Sequence, residues 1–312
     1  RKTLQERRAP LLLLTVLLLQ KFLMSSSPGT VERVIRPVVR LLKARQQSEG
    51  QGAVVYRTIG SLVDTFDPFL LLDEFHVKPP AGFPDHPHRG FETITYMLEG
   101  AFKHADNKGN KGTIHAGGVQ WMTAGRGVVH SETPATEGVN RGLQLWVNLP
   151  AKDKMVEARY QDVEPSEMPT YEEEGVRVKV IAGEYRGHES SVDMHAKIVY
   201  LDVEMQPGTC FETELGEEYD GFLYFLEGGG FSGTEEDEVE ISPKNMAVLG
   251  SGNFIRFRTA PAEESSADTP AAHFVVIAGI PLKEPVARHG PFVMNTREEI
   301  MQAFMDYQAG KM

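Results

Sequence analysis

Gly82-Phe83-Pro84-Asp85-His86-Pro87-His88-Arg89-Gly90-Phe91-Glu92 is the stretch on which the reading of this chain turns. Its two histidines stand at i and i+2, and in an extended chain that spacing sends both imidazoles to one face. Pro87 between them cannot donate to a sheet ladder, which suits a strand end or rim where the chain turns toward a cavity. Forty-two residues beyond His88, the run Gly125-Arg126-Gly127-Val128-Val129-His130-Ser131-Glu132 repeats the spacing with one histidine and one glutamate. His86, His88, His130 and Glu132 together offer three neutral nitrogens and one anionic oxygen. Such a set suits Fe(II), Mn(II), Ni(II), Cu(II) or Zn(II), and ligand softness does not choose among them.

Glu92 is a competing carboxylate, also an even number of positions from both histidines. In a straight strand at about 3.3 Å per residue it would lie roughly 13 Å from His88. Only a bulge or sharp bend would bring it back, so Glu132, whose pairing with His130 mirrors the first pair, is the expected ligand. His76, His104, His115, His188, His195, His273 and His289 lack such pairing and read as surface or satisfied core histidines. Cys210 is the single cysteine. No intramolecular disulfide can form, and a lone thiol among carboxylates reads as buried and inert. Gly228-Gly229-Gly230 has no lysine after it and reads as a turn rather than a phosphate cradle.

Working outward, short runs rich in β-branched and aromatic residues recur between turn signals, which predicts an all-β sandwich or barrel. They are Val54–Ile59, Phe91–Leu98, Gly142–Asn148 and Val176–Ile181, then Ile198–Glu204, Phe222–Leu226, Met246–Leu249, Phe254–Phe257 and Phe274–Ala278. Pro150 to Pro169, with three prolines and several charges, reads as a linker. The expected division is therefore 25–165 for a metal-binding first barrel and 166–312 for a second barrel without metal plus a terminal helix. That helix is expected from an Asn295 cap, with Glu298 and Glu299 in its first turn and Ile300, Phe304 and Tyr307 on its apolar face.

The chain has 312 residues, room for two domains of ordinary size. Its formal charge of −12 excludes non-specific binding to a phosphate backbone, so a role near nucleic acid would pass through another protein. Residues 1–24 differ from the rest: Arg1, Lys2, Arg7 and Arg8 precede the apolar run Leu11 to Leu19. Nine residues are too few to cross a bilayer, for which roughly 18 are needed, so no stable membrane insertion is expected. The segment reads as a leader or as sequence upstream of an ordinary start at Met24. Its five basic and one acidic residues carry a net +4, leaving −16 on the remainder.

The spacing resembles the two cupin motifs: His86, His88 and Glu92 match the first, Gly118 and Gly127-X2-His130 the second. Ala124 stands where the generic second motif has proline, and one residue is added. The longer blocks resemble the pirin family. They are Asp67-Pro68-Phe69-Leu70, the His86 segment, Gln120-Trp121-Met122-Thr123-Ala124-Gly125-Arg126-Gly127, Gly142-Leu143-Gln144-Leu145-Trp146-Val147-Asn148 and Gly290-Pro291-Phe292-Val293-Met294-Asn295.

The resemblance implies two tandem cupin-type β-barrels, with one iron per chain, Fe(II) or Fe(III), on His86, His88, His130 and Glu132 of the first. It also implies quercetin 2,3-dioxygenase activity on a small polyphenol with O2. Glu132 would take a proton, Gln144 would face the cavity, and Phe83, Trp121 and Met122 are candidate pocket walls. The alternative it implies is an iron-dependent redox-sensing transcriptional coregulator that contacts transcription factors, with Arg89 as a reporter of metal charge or simply a structural ion pair. A monomer in cytoplasm and nucleus is expected, or an organelle or secretion if the leader is native.

Overall fold

Alternation along Asn140–Asn148 explains why this sequence needs two layers on either side of one strand. Leu143, Leu145 and Val147 point to one buried face, while Gln144 and Trp146 point to the other. Phe91–Glu99 divides likewise, with Ile94 and Tyr96 on one side and Thr95 and Met97 on the other. A strand covered on both faces cannot show the polar-out pattern of a solvated sheet, hence the near-continuous apolar runs.

The computed structural model describes residues 32–234, 236–261 and 271–312. The 1–24 leader reading lies outside them. The protein is mostly β, built as two cupin-type barrels and one C-terminal helix. Each barrel is a seven-stranded sheet closed over a four-stranded one. In the first, the large sheet runs in the order Arg159–Val163, Val119–Thr123, Phe91–Glu99, Asn140–Asn148, Phe69–Val77, Ala53–Arg57, Arg45–Glu49. Its small sheet is Phe83–His88, Val128–Pro134, Ala101–Asp106, Lys111–His115. The second barrel repeats the plan, with neighbouring strands antiparallel in both.

The two large sheets face each other across a shared apolar core. Ile94, Tyr96, Trp121, Leu143 and Leu145 of the first meet Tyr200, Phe222, Tyr224 and Ile277 of the second. Buried polar groups within this core are matched across it. Tyr96 donates to Asp202 at 2.6 Å, and Tyr224 donates to Glu74 at 2.9 Å. Burial alone would raise the Glu74 carboxyl, but His76, Lys244 and Arg141 outweigh it and bring its pKa down to about 2. The interior of the second barrel is filled by Phe211, Phe225, Phe257 and Phe274 among others.

All nine runs read as strands are strands, and the helix is present as Arg297–Gln308. Its cap is Thr296 rather than Asn295, because Glu299 reciprocates with Thr296 in a capping box. Ile300 and Ala303 are its buried residues, while Tyr307 lies exposed. The stretch read as a linker supplies Arg159–Val163, an edge strand on Val119–Thr123, where alternating polar residues can face water. Two segments cross the division expected at 165/166. Val38–Lys43 pairs with Asn245–Leu249 in the second barrel's sheet, and the chain after Ile280 returns to the first barrel. Cys210 is exposed rather than buried, standing at the start of the edge strand Cys210–Glu214. Partial burial of its sulfur and the Glu212 carboxylate push the thiol pKa up, so it stays protonated.

Phe222 is fully buried between the sheets, edge-on to Phe66 and Phe69 at 5.4 and 5.7 Å. Phe222→Ala is expected to cost about 3–5 kcal/mol. In urea, Trp121 fluorescence and far-UV circular dichroism should shift to lower midpoints together, because the lost core belongs to both barrels.

Candidate metal centre

Antiparallel pairing builds this site. Phe83–His88 and Val128–Pro134 lie side by side with His130 directly across from His86 and Val128 across from His88. Directly opposed side chains share a face, so His130 joins the two imidazoles already aligned by alternation. A register shift between His130 and Glu132 then sets Glu132 across from Phe83. The ring centroids lie 4.7 Å (His86–His88), 4.5 Å (His86–His130) and 5.0 Å (His88–His130) apart. One nitrogen from each ring falls within 4.8 Å of the others.

Hydrogen bonding fixes which nitrogen of His86 faces the other rings. Nδ1 lies 2.8 Å from the Pro84 carbonyl, an acceptor only, so Nδ1 donates there and Nε2 is left for the cluster. His86 Nε2 lies 3.1 Å from Nε2 of His130. Such an outer contact is the usual support of a metal-binding imidazole. Burial, then the neighbouring rings, holds the His88 pKa well below the ordinary histidine value, and burial with His86 and His104 brings His130 down to about 3. Nδ1 of both His88 and His130 is buried without a hydrogen-bond partner. Three converging imidazoles, with His88 and His130 favoured neutral by burial, fit a cation of the kind that imidazole and carboxylate bind.

Glu132 stands beside them but outside the 4.8 Å group. Burial raises its pKa against the opposing pull of His86, Thr95 and His104. Thr95 Oγ1 lies 3.1 Å from Glu132 Oε1 and 2.8 Å from Gln144 Oε1, so one hydroxyl ties the carboxylate to the glutamine and donates to one of them at a time. His86, His88, Glu132 and Gln144 border one cavity of ≈ 470 Å³, with Phe75, Phe83 and Trp146 as aromatic walls.

Glu92 is elsewhere. It accepts from Thr123 Oγ1 at 2.7 Å, and the charges acting on it are His195 and Arg159. Gly90, at φ +86°, reverses the chain after His88, so even spacing does not carry across to Glu92. A Cβ on Gly90 would meet the Val293 carbonyl at 1.9 Å, so only glycine allows the C-terminal segment to pass there. Of the expected walls, Phe83 borders the cavity, whereas Trp121 sits in the core between the barrels and Met122 packs with Ala124 and Val128.

Arg89 is buried, donating from Nε to the Arg126 carbonyl at 2.5 Å and pairing through Nη1 with Asp306 at 2.8 Å. Sequence reasoning missed Thr95, Trp146, Arg57, Asp73 and Arg288, which all reach this site. Thr95 alone left a local signal, a hydroxyl inside an apolar strand. It also missed that His104, read as a satisfied or surface histidine, is buried across from Glu132 with neither ring nitrogen hydrogen-bonded.

The depressed His130 pKa fixes a sign. Unfolded histidine titrates near pH 6.5 and folded His130 near 3, so between those values the unfolded chain binds a proton that the fold excludes. Stability is fully present above about pH 6.5 and falls on acidification, by about 1.4 kcal/mol per pH unit for this one group. Urea midpoints of metal-free protein should drop from pH 6.5 to 4, and His130→Gln should flatten that slope.

The sequence matches the family profile Pirin over residues 51–147 and the profile Pirin C-terminal cupin domain over 200–312. It is 50% identical over 277 residues to a pirin-like protein of Solanum lycopersicum, covering 88% of this chain and 92% of that one. It is 45% identical over 270 residues to pirin of Homo sapiens, covering 86% and 91%. A crystal structure of quercetin 2,3-dioxygenase from Acinetobacter baumannii is similar at TM-score 0.79 and 32% identity, over 89% of this chain and 98% of that one. The chain belongs to the pirin family of the cupin superfamily.

Proposed function

We propose that this protein is an iron-dependent dioxygenase acting on a flavonol, of the quercetin 2,3-dioxygenase type. One observation carries the reading: His86, His88, Glu132 and Gln144 border a single cavity whose other walls include Phe75, Phe83 and Trp146. The donor set suits several divalent metals. The choice of iron rests on the resemblance to the pirin family, and the similar dioxygenase supports the substrate class. In this reading His86, His88, His130 and Glu132 hold the metal, which when bound supplies Lewis-acid activation and a place for dioxygen.

The side chains have separate tasks. Glu132, whose pKa is raised by burial, accepts the proton of the substrate hydroxyl. Thr95 donates to that carboxylate or to Gln144, and Gln144, at the cavity wall, offers a polar contact to the ligand. Trp146 and Phe83 give the flat ring system an apolar seat that excludes water. Quercetin incubated with iron-loaded protein under oxygen should lose its flavonol absorbance. His86→Ala should abolish the loss, and Glu132→Gln should slow it by roughly 10²–10⁴-fold. Absence of any iron-dependent loss would remove the reading.

A second reading, a coregulator that contacts transcription factors according to the oxidation state of its iron, is favoured by one contact. Arg89 follows His88 in the chain and its guanidinium holds Asp306 of the C-terminal helix. Added charge at the metal can thus reach a surface element. In this role the chain acts as a monomer in cytoplasm and nucleus. Amide hydrogen exchange over Arg297–Gln308 should differ between ferrous and ferric protein, and Asp306→Asn should reduce the difference. Identical exchange in both forms would end this reading.

A further inference from the structure

Two guanidinium groups border the same cavity, Arg57 from the strand Ala53–Arg57 and Arg288 from Ala287–His289. Their surroundings differ. Arg57 is claimed twice by Asp73, at 2.7 and 2.6 Å, and once by Glu49 at 2.8 Å. Arg288 donates Nη1 to the Leu70 carbonyl at 2.9 Å, and among the described residues no carboxylate pairs with it. The like charge of Arg57 acts on Arg288, and the opposing Asp73 is already engaged by Arg57. Of the other acids bordering the cavity, Glu49 is held by Arg57, while Glu132 and Asp85 belong to the histidine end.

Trp146 contacts both His88 and Arg288. Its ring centroid is 5.1 Å from that of His88, and the Arg288 guanidinium carbon is likewise 5.1 Å from the Trp146 ring. The cation–π contact with the indole and the hydrogen bond to Leu70 hold the guanidinium in place before any ligand arrives, so less freedom is lost on pairing.

We propose that Arg288 is a specificity-determining residue that selects flat aromatic ligands carrying a carboxylate, or another single anionic group, on the edge that meets Arg288. The inference rests on the cavity being a ligand site and deepens that reading; it does not require turnover. A guanidinium fork receives a carboxylate through two parallel hydrogen bonds. At a rim open to water such a pair is worth about a fivefold difference in affinity, falling with salt.

The test uses the metal-free full chain and two probes that do not chelate, biphenyl-4-carboxylate and biphenyl-4-carboxamide. Binding is followed by intrinsic fluorescence, since Trp146 borders the cavity while Trp121 is buried between the barrels. The carboxylate should bind about fivefold more tightly than the amide at low ionic strength. Arg288→Gln should erase that preference by weakening the carboxylate alone, and Arg288→Lys should keep part of it.

No preference in the unsubstituted protein, an unchanged preference in Arg288→Gln, or equal weakening of both probes would overturn the proposal. So would the absence of saturable binding by either probe. Neither probe engages a metal or is turned over, so failure of quercetin consumption and failure of this selection are read separately.

Discussion

The backbone register between Phe83–His88 and Val128–Pro134 is the constraint from which the site follows. Because side chains alternate strictly, a slip of one residue would turn His130 away from His86 and His88, which would still share a face. Several features hold the register. Pro84 and Pro87 remove two ladder donors, Gly90 ends the strand in a conformation other residues resist, and the C-terminal segment lies across that turn through Val293 N–H to Arg89 O at 3.0 Å. Lys154 is buried and donates to Gly90 O, Asn148 Oδ1 and Val293 O at 2.8, 2.6 and 3.1 Å, joining the turn, the large sheet and the C-terminal segment at one ammonium.

The two barrels use one plan for opposite ends. The second packs phenylalanines against one another at 4.8 to 5.0 Å and is filled. The first gives up part of its core to imidazoles, a carboxylate, a threonine and a glutamine, and keeps a cavity. Buried, neutral and partly unsatisfied histidines cost folding free energy. The second barrel and the shared apolar layer provide the rigid backing that offsets this, so the site depends on packing to which it contributes little.

Charge is handled differently in the two places. Between the barrels, Glu74 and Asp202 are nearly inaccessible, and each is surrounded by donors. His273 lies 2.6 Å and Lys179 3.8 Å from Asp202, while Arg141 lies 2.7 Å from Glu74. These networks are closed, with their acceptors met from both barrels. In the cavity the balance is left open: imidazole nitrogens gather at its wall, and among the described residues no carboxylate hydrogen-bonds the Arg288 guanidinium. That contrast separates polar groups that fix how the barrels meet from polar groups still available to a ligand.

The sequence by itself determined the elements and the residue types. Alternation told that His86 and His88 share a face and that His130 and Glu132 do, turn residues bounded nine strands, and the capping pattern located the helix to within one residue. It did not say that Glu92 faces away from the histidines, that Arg159–Val163 closes a sheet, that Cys210 is exposed, or that Thr95, Trp146 and Arg288 reach the cavity. Each of those depends on which of two buried faces a strand turns toward the histidines and on which distant segment crosses it. Periodicity is a property of neighbours in the chain, so it survives in one strand read alone. Register, the turn at Gly90 and the return of the C-terminal segment are set by hydrogen bonds and packing between residues far apart in sequence, and only the assembled barrels decide them.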